Sequence, residues 1–386
     1  MFQIQKKNLK NIDWFLLFSV FALTLFGLIA INAATITTET GDTVQIVLGQ
    51  NTINLFSTRS LVYLKTQIIA AGLGLIALVF LTLFDYRNFG RFAKFLYAGA
   101  LGLLMLVLVF GDVRNGSKSW LTILGVTFQP AEIVKIVFIL AYAKFIENAE
   151  ETLNEPLVLL RLLILALIPI LMVYKQGDLG TASVFFVITA SMLFVAKLNK
   201  KYIFSFLGLA VLSMPILWAR LDQYQKNRIL VFMNPSLDIS GAGYQVYQSK
   251  IAIGSGQFSG RGVSDAKFIQ GGYLPFNHTD FIFSVVGEAF GFVGGAALLA
   301  LFFIFFFRLI LIAKEARDTY GSMVVIGISS MLFFHVLENI GMTMGVMPVT
   351  GIPLPFISYG GTFLLTCFAC LGLVLSVGLR KDNYIF

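Results

Sequence analysis

Charge is what this sequence has least of: 12% of its 386 residues are Asp, Glu, Lys or Arg, about half the ~25% of an ordinary soluble domain. A chain that is also 58% hydrophobic, with 39 phenylalanines, cannot cover a water-facing surface. Mean hydropathy is +0.85. A Walker phosphate loop and a G-x-G-x-x-G turn are both missing, which removes the usual nucleotide-binding signatures. Histidine is scarce, at His278 and His335, and nothing spells a dedicated all-protein metal cage. The two cysteines, Cys367 and Cys370, lie inside the last apolar run. They lack the thioredoxin-like context a redox pair needs, so they read as packing residues. No A-x-A-like cleavage site follows the first apolar run, 14–31, which is long enough to span a bilayer.

What is present is one repeated pattern: apolar runs of about 20 residues, the length of a transmembrane helix. The expected spans are 13–33, 61–83, 92–110, 131–147, 157–174, 179–197, 202–218, 280–312, 321–345 and 361–379. This is an all-α integral membrane protein of about ten transmembrane helices. The whole chain, 1–386, forms a single polytopic domain with a large extracytoplasmic loop, about 219–279, between spans 7 and 8. Gly287, Gly291, Gly294 and Gly295 crowd the first half of the eighth span, and small residues let helices approach closely in lipid.

The net charge of +8 sits at the ends of apolar runs, which marks orientation rather than a nucleic-acid surface. One set of short connections holds 16 cations: Lys6, Lys7, Lys10, Arg87, Arg91, Lys94, Lys144, Arg161, Lys197, Lys200, Lys201, Arg308, Lys314, Arg317, Arg380 and Lys381. The opposite set holds five: Arg59, Lys65, Arg114, Lys118 and Lys175. The positive-inside rule then puts both termini in the cytoplasm and 34–60, 111–130, 219–279 and 346–360 outside. The acidic connection 147–155 breaks the pattern, but Asp and Glu count for little in this rule.

Four regions carry polar groups where lipid penalises them. In Phe128-Gln129-Pro130-Ala131-Glu132, Pro130 suits a first helical turn. Glu132 and Lys135 share a helix face three residues apart, either as a structural ion pair or as part of a polar cavity. In Asn277-His278-Thr279-Asp280, Thr279 is a candidate helix N-cap and Asp280 falls in the first turn of the eighth span. There it is either a dipole partner or a general base facing the outer surface. The loop 219–279 sets Arg220, Lys226, Arg228, Lys250, Arg261 and Lys267 against Asp222, Asp238 and Asp265. That balance is ordinary for a solvated loop, yet suited to lipid phosphates if the loop folds over the membrane. A short amphipathic helix is expected there around 243–253. Finally, 347–361 holds three prolines and three glycines, so it cannot continue a helix. It either lines a cavity or rests on the headgroups.

These residues resemble the SEDS family (shape, elongation, division, sporulation), whose best-known members are RodA and FtsW. The resemblance runs through Trp120 and Phe128-Gln129-Pro130-Ala131-Glu132, then Gln176-Gly177-Asp178-Leu179-Gly180-Thr181-Ala182. It continues in Gly243-Tyr244-Gln245, Gln248-Ser249, Ala252-Ile253-Gly254-Ser255-Gly256 and His278-Thr279-Asp280-Phe281. Pro353-Leu354-Pro355-Phe356-Ile357-Ser358-Tyr359-Gly360-Gly361 completes it. Ala252–Gly256, Asn339-Ile340-Gly341-Met342 and Gly351-Ile352-Pro353 are closer to RodA than to FtsW. The chain has Pro275-Phe276-Asn277 where the family often has Pro-Glu before His-Thr-Asp, which removes a carboxylate near Asp280. It also has Thr362 after Gly361 where Gly-Ser is usual.

The resemblance implies a peptidoglycan glycosyltransferase of the cytoplasmic membrane, active on its outer face. It would polymerise lipid II, an undecaprenyl-diphosphate-linked disaccharide-pentapeptide, during cell-wall elongation and cell-shape maintenance. The implied partners are a class B penicillin-binding protein and membrane lipids, with no nucleic acid. Asp280 is the implied catalytic residue. Glu132, Lys135, Trp120, Lys118, Arg228, Gln248, Ser249, Lys250, His278, Thr279 and Ser358 are the implied substrate contacts. No cofactor is required by the pattern. Mg²⁺ or Mn²⁺, bridging lipid phosphate to one carboxylate, is compatible with it and leaves no motif. The alternatives are a lipid-precursor flippase and a non-catalytic scaffold.

Overall fold

Each apolar run folds as a helix because lipid offers its backbone no other partner. The computed structural model describes residues 11–36, 43–48, 51–114, 116–123, 126–220, 223–234, 238, 241–263 and 265–381. In chain order the elements are α1 (Trp14–Thr35), β1 (Thr43–Leu48), β2 (Asn51–Ser57), α2 (Thr58–Leu83), α3 (Arg87–Arg91) and α4 (Ala93–Phe110). Then follow β3 (Asp112–Arg114), β4 (Ser117–Ile123), β5 (Val126–Phe128), α5 (Pro130–Asn148), α6 (Pro156–Lys175), α7 (Leu179–Val195) and α8 (Lys200–Arg220). The last are α9 (Gln223–Met233), α10 (Ala242–Ser255), α11 (Lys267–Gln270), α12 (Ile282–Lys314), α13 (Thr319–Met344) and α14 (Gly361–Leu379).

Ten of these helices, α1, α2, α4 to α8 and α12 to α14, coincide with the ten expected runs to within a few residues. Among the described residues, seven are long and apolar enough to cross a membrane by length and composition: α1, α2, α4, α6, α12, α13 and α14. Helix α5 carries Glu132, Lys135, Lys144 and Glu147, and α7 is 17 residues long. Two small antiparallel sheets add to the helical body, the hairpin β1–β2 and the meander β3–β4–β5.

Polar contacts separate the two ends of the bundle. At one end Asp13 pairs with Arg308 at 2.6 Å, Asp85 with Arg380 at 3.8 Å and Glu315 with Lys381 at 2.7 Å. The Tyr86 hydroxyl donates to Asp318 there. This end gathers the cation-rich connections. At the other end Asn277 donates to the Ala34 carbonyl and Ser57 to that of Thr35.

The region 219–279 is not structureless. It holds α9, α10 and α11, with α10 over the segment expected to form a short helix. Asp222 lies outside the described residues. A Cβ on Gly256 would stand 1.9 Å from the Gly287 carbonyl oxygen, so only glycine lets α10 seat on α12 there. Gly291 adopts φ 63°, which breaks α12. Gly294 and Gly295 make no comparably close approach to another helix, so of the four glycines expected to serve packing, Gly287 and Gly291 do so.

Candidate functional site

The two broken segments, 275–281 and 346–360, meet at the end of the bundle opposite the cation-rich connections. The Tyr359 amide donates to the His278 carbonyl at 2.9 Å, and Ser358 Oγ donates to the Thr279 carbonyl at 2.6 Å. Ser358 Oγ also accepts from the Leu354 amide at 2.8 Å, which closes its own turn. Gln67 of α2 clamps the same turn, donating to the Ser358 carbonyl and accepting from the Gly360 amide. Each segment holds one non-glycine residue in the left-handed region, Phe276 at φ 57° and Phe356 at φ 65°. Such residues cost on the order of 1–3 kcal/mol and persist where surroundings over-determine them. Phe356 is buried edge-on against Phe305 and Phe368.

Asp280 stands at this junction. The expectation that Thr279 caps the eighth span and Asp280 opens it needs correction. Helix α12 begins at Ile282, its N-cap is Phe281, and no side chain bonds to its first amides. The Phe281 amide bonds back to the Phe276 carbonyl, so 276–281 closes as a separate turn and holds Asp280 just outside the helix. Thr279 Oγ1 donates to the Phe276 carbonyl instead of capping. The Asp280 carboxylate is thus left without the capping role that is commonest for Asp there.

Asn339 of α13 holds Asp280 in place. Its amide nitrogen donates to the Asp280 carbonyl and to the Ile352 carbonyl, both at 2.8 Å. Beside the carboxylate lies Gly351, where an added Cβ would come within 3.5 Å of Asp280 Oδ2. Burial pushes the Asp280 carboxyl up to about 7, against the opposing pull of the Arg228 guanidinium. His278 sits edge-on to Tyr63, centroids 5.0 Å apart, and near Tyr359. Burial, and then the charge of Arg59, hold its imidazole below its ordinary value. Burial thus favours the neutral form of both groups.

Arg228 of α9 donates to the Thr350 carbonyl at 3.4 Å, a long bond. With Val246, Gly345 and Met347 it lines a small cavity next to the junction. Lys250 is exposed on α10, its chain against Gly345. Ser249 is fully buried and pins α10 to its neighbours, paired with Ser284 and donating to the Thr343 carbonyl. Gln248 is half-buried on the same helix.

Glu132 and Lys135 form a buried pair at 2.9 Å, and the Lys135 ammonium also reaches His335 Nε2 at 3.1 Å. An ammonium only donates, so His335 Nδ1 carries the ring proton and faces the Pro353 carbonyl at 3.4 Å. The pair on α5 is therefore linked through α13 to the proline-rich segment. The other Glu132 oxygen, Oε2, is buried and has no hydrogen-bond partner among the described residues.

Lys118 and Trp120 lie on β4. The Lys118 ammonium donates to the Leu108 and Val109 carbonyls and so caps α4. The Gln176–Ala182 motif is a brace. Asp178 caps α7 through the Thr181 amide and accepts from Gln129, while Gly180 packs on Thr350 and Ile352. Sequence reasoning assigned no role to Asn339, His335 or Gln67. The available signal was a polar side chain inside an apolar run.

Among the described residues no three His, Cys, Asp or Glu side chains are grouped to hold a metal. Asp280 offers one carboxylate, so a divalent ion bound there fits only by taking its other ligands from substrate phosphates and water.

The chain is similar to known proteins over most of its length. A family model described as cell cycle protein, FtsW/RodA/SpoVE, matches residues 13–383. The chain is 38% identical over 309 residues to the peptidoglycan glycosyltransferase MrdB of Escherichia coli K12, covering 79% of this chain and 83% of that one. It is 38% identical over 330 residues to the stage V sporulation protein E of Bacillus subtilis, covering 84% and 89%. Among solved structures, one from a study of polymerization and crosslinking by a peptidoglycan synthase complex superposes with TM-score 0.78 and 30% identity, covering 96% and 99%. The crystal structure of the rod shape determining protein RodA of Thermus thermophilus gives 0.69 and 28%, covering 96% and 98%.

Proposed function

We propose, from the premise that this chain belongs to the FtsW/RodA/SpoVE family of cell cycle proteins, that Asp280 is the general base of its glycosyl transfer. The chain is a peptidoglycan glycosyltransferase and a multi-pass membrane protein. Its substrate is lipid II. The ten helices that match the apolar runs all cross the bilayer, both termini are cytoplasmic, and the Asp280 junction faces outward. That orientation rests on the 16-to-five distribution of cations over the short connections.

In the reaction an acceptor sugar hydroxyl attacks the anomeric carbon of the donor. The new carbon–oxygen bond forms as the bond to the lipid diphosphate breaks, and undecaprenyl diphosphate leaves with that electron pair. Asp280 takes the hydroxyl proton, a role contributing typically ~10²–10⁴-fold. Arg228 and Lys250, flanking the junction, balance the charge of the departing diphosphate. A divalent ion, when bound, supplies further neutralisation of that diphosphate. The observation that carries the assignment is a half-buried carboxylate with no capping role, on a residue whose backbone carbonyl Asn339 holds between two broken segments. Crosslinking of the new strands falls to a class B penicillin-binding protein, consistent with the synthase complex in which a structural relative was solved.

Purified chain reconstituted with labelled lipid II tests the reading. Glycan ladders support it. Leaflet exchange of lipid II without polymer would make the chain a flippase, and neither product would leave it a scaffold.

A further inference from the structure

A groove of ≈690 Å³ opens between α4, α5 and α6, at the end of the bundle that gathers the cation-rich connections. Lys94, Asn148, Thr152 and Arg161 supply its polar lining, and Tyr97, Phe145 and Leu165 its apolar lining. The apolar wall is firm: the Tyr97 hydroxyl donates to the Leu165 carbonyl at 2.6 Å, and its ring meets Phe145 edge-on at 5.7 Å.

The charge in this groove is uncompensated. Among the described residues no carboxylate lines it. Among the described residues Lys94 and Arg161 make no ion pair, although 147–155 beside them is rich in glutamate. Of these glutamates Glu147 is taken by Lys144, and Glu150, Glu151 and Glu155 are exposed beside the lining without entering it. Two unpaired cations above an apolar wall, at the edge of a bilayer, match a phosphodiester carrying acyl chains. Along α6 the lining runs from Val158 to Leu165, about 10 Å at 1.5 Å per residue. That depth admits a headgroup and the first part of its chains.

We propose that this groove binds one anionic phospholipid, its phosphate between Lys94 and Arg161 and its glycerol and upper acyl chains against Tyr97, Phe145 and Leu165. A lipid of net negative charge is favoured over a zwitterionic one, because a headgroup amine would face two cations with no acidic neighbour in the lining. The inference stands on the groove alone and is independent of the role given to Asp280.

Native mass spectrometry of the full-length protein, titrated with phosphatidylglycerol or phosphatidylcholine, tests it. Each Lys or Arg near an anionic membrane surface contributes roughly fivefold, so Lys94→Gln with Arg161→Gln should weaken the tightest phosphatidylglycerol site roughly 30-fold. Lys200→Gln with Lys201→Gln removes the same charge from exposed positions outside the lining and should leave that site intact. Val158→Trp fills the groove without altering charge and should also remove the site, which keeps the test open if the double variant folds poorly. Equal phosphatidylglycerol retention in the wild type and in the Lys94/Arg161 or Val158 variants would overturn the proposal. So would equal affinity for phosphatidylcholine, or displacement of the lipid by millimolar inorganic phosphate, which would mark a free-phosphate site.

Discussion

Asp280→Asn keeps the volume of the side chain and removes both its charge and its proton-accepting oxygen. Polymerisation of lipid II should fall by ~10²–10⁴-fold, the contribution of a positioned general base, with membrane level unchanged. The pH profile gives a second readout. With the carboxyl pushed to about 7 by burial, about one Asp280 in ten is ionised at pH 6. The wild-type rate should therefore fall about tenfold per pH unit below 7, whereas a carboxylate at an ordinary 3.8 would leave it flat to pH 5. Stability should move the opposite way. A folded-state value raised from 3.8 to about 7 favours the protonated form, so its stabilisation is complete below 3.8 and lost as pH rises through 7. The full rise corresponds to roughly 4 kcal/mol at 1.36 kcal/mol per tenfold. Partial exposure of Asp280 reduces this to on the order of 2 kcal/mol. Asp280→Asn should then melt above the wild type at pH 8 and alongside it near pH 4. If Asp280→Asn polymerises normally while His278→Gln is inactive, the base is His278. An acid limb centred near pH 4 would refute the burial argument.

Three further outcomes follow from the same geometry. Glu132→Gln leaves the buried Lys135 charge without its carboxylate and should cost ~3–5 kcal/mol, seen as lost membrane yield; Glu132→Gln with Lys135→Met should recover yield. Polymerisation that stays absent in the recovered double variant would assign the pair a role beyond folding. Asn339→Leu frees the Asp280 and Ile352 carbonyls and should lower kcat more than it raises KM in the lipid II assay; a change confined to KM would refute its positioning role. A cysteine at Tyr273, an exposed position, should react with an impermeant thiol reagent in intact cells while one at Lys200 does not, and the reverse pattern would invert the orientation.

Apolar run length was enough to place ten helices to within a few residues, because a bilayer leaves the backbone of such a run one hydrogen-bonded solution. The motifs likewise marked Asp280, Ser358 and the Glu132–Lys135 pair. Periodicity could not show that Asp280 lies outside α12, since the turn that excludes it is closed by the Phe276 carbonyl and by Asn339, 59 residues away. Nor could it separate Lys118, which caps α4, from Arg228, which reaches the Thr350 carbonyl 122 residues away; both are single cations in polar connections. Left-handed backbone at Phe276 and Phe356 has no sequence signal, because glycine is the residue expected there. Local pattern decided which segments are helices. Which polar groups share a site was decided only by tertiary contacts, where hydrogen bonds between distant segments outweigh local preference.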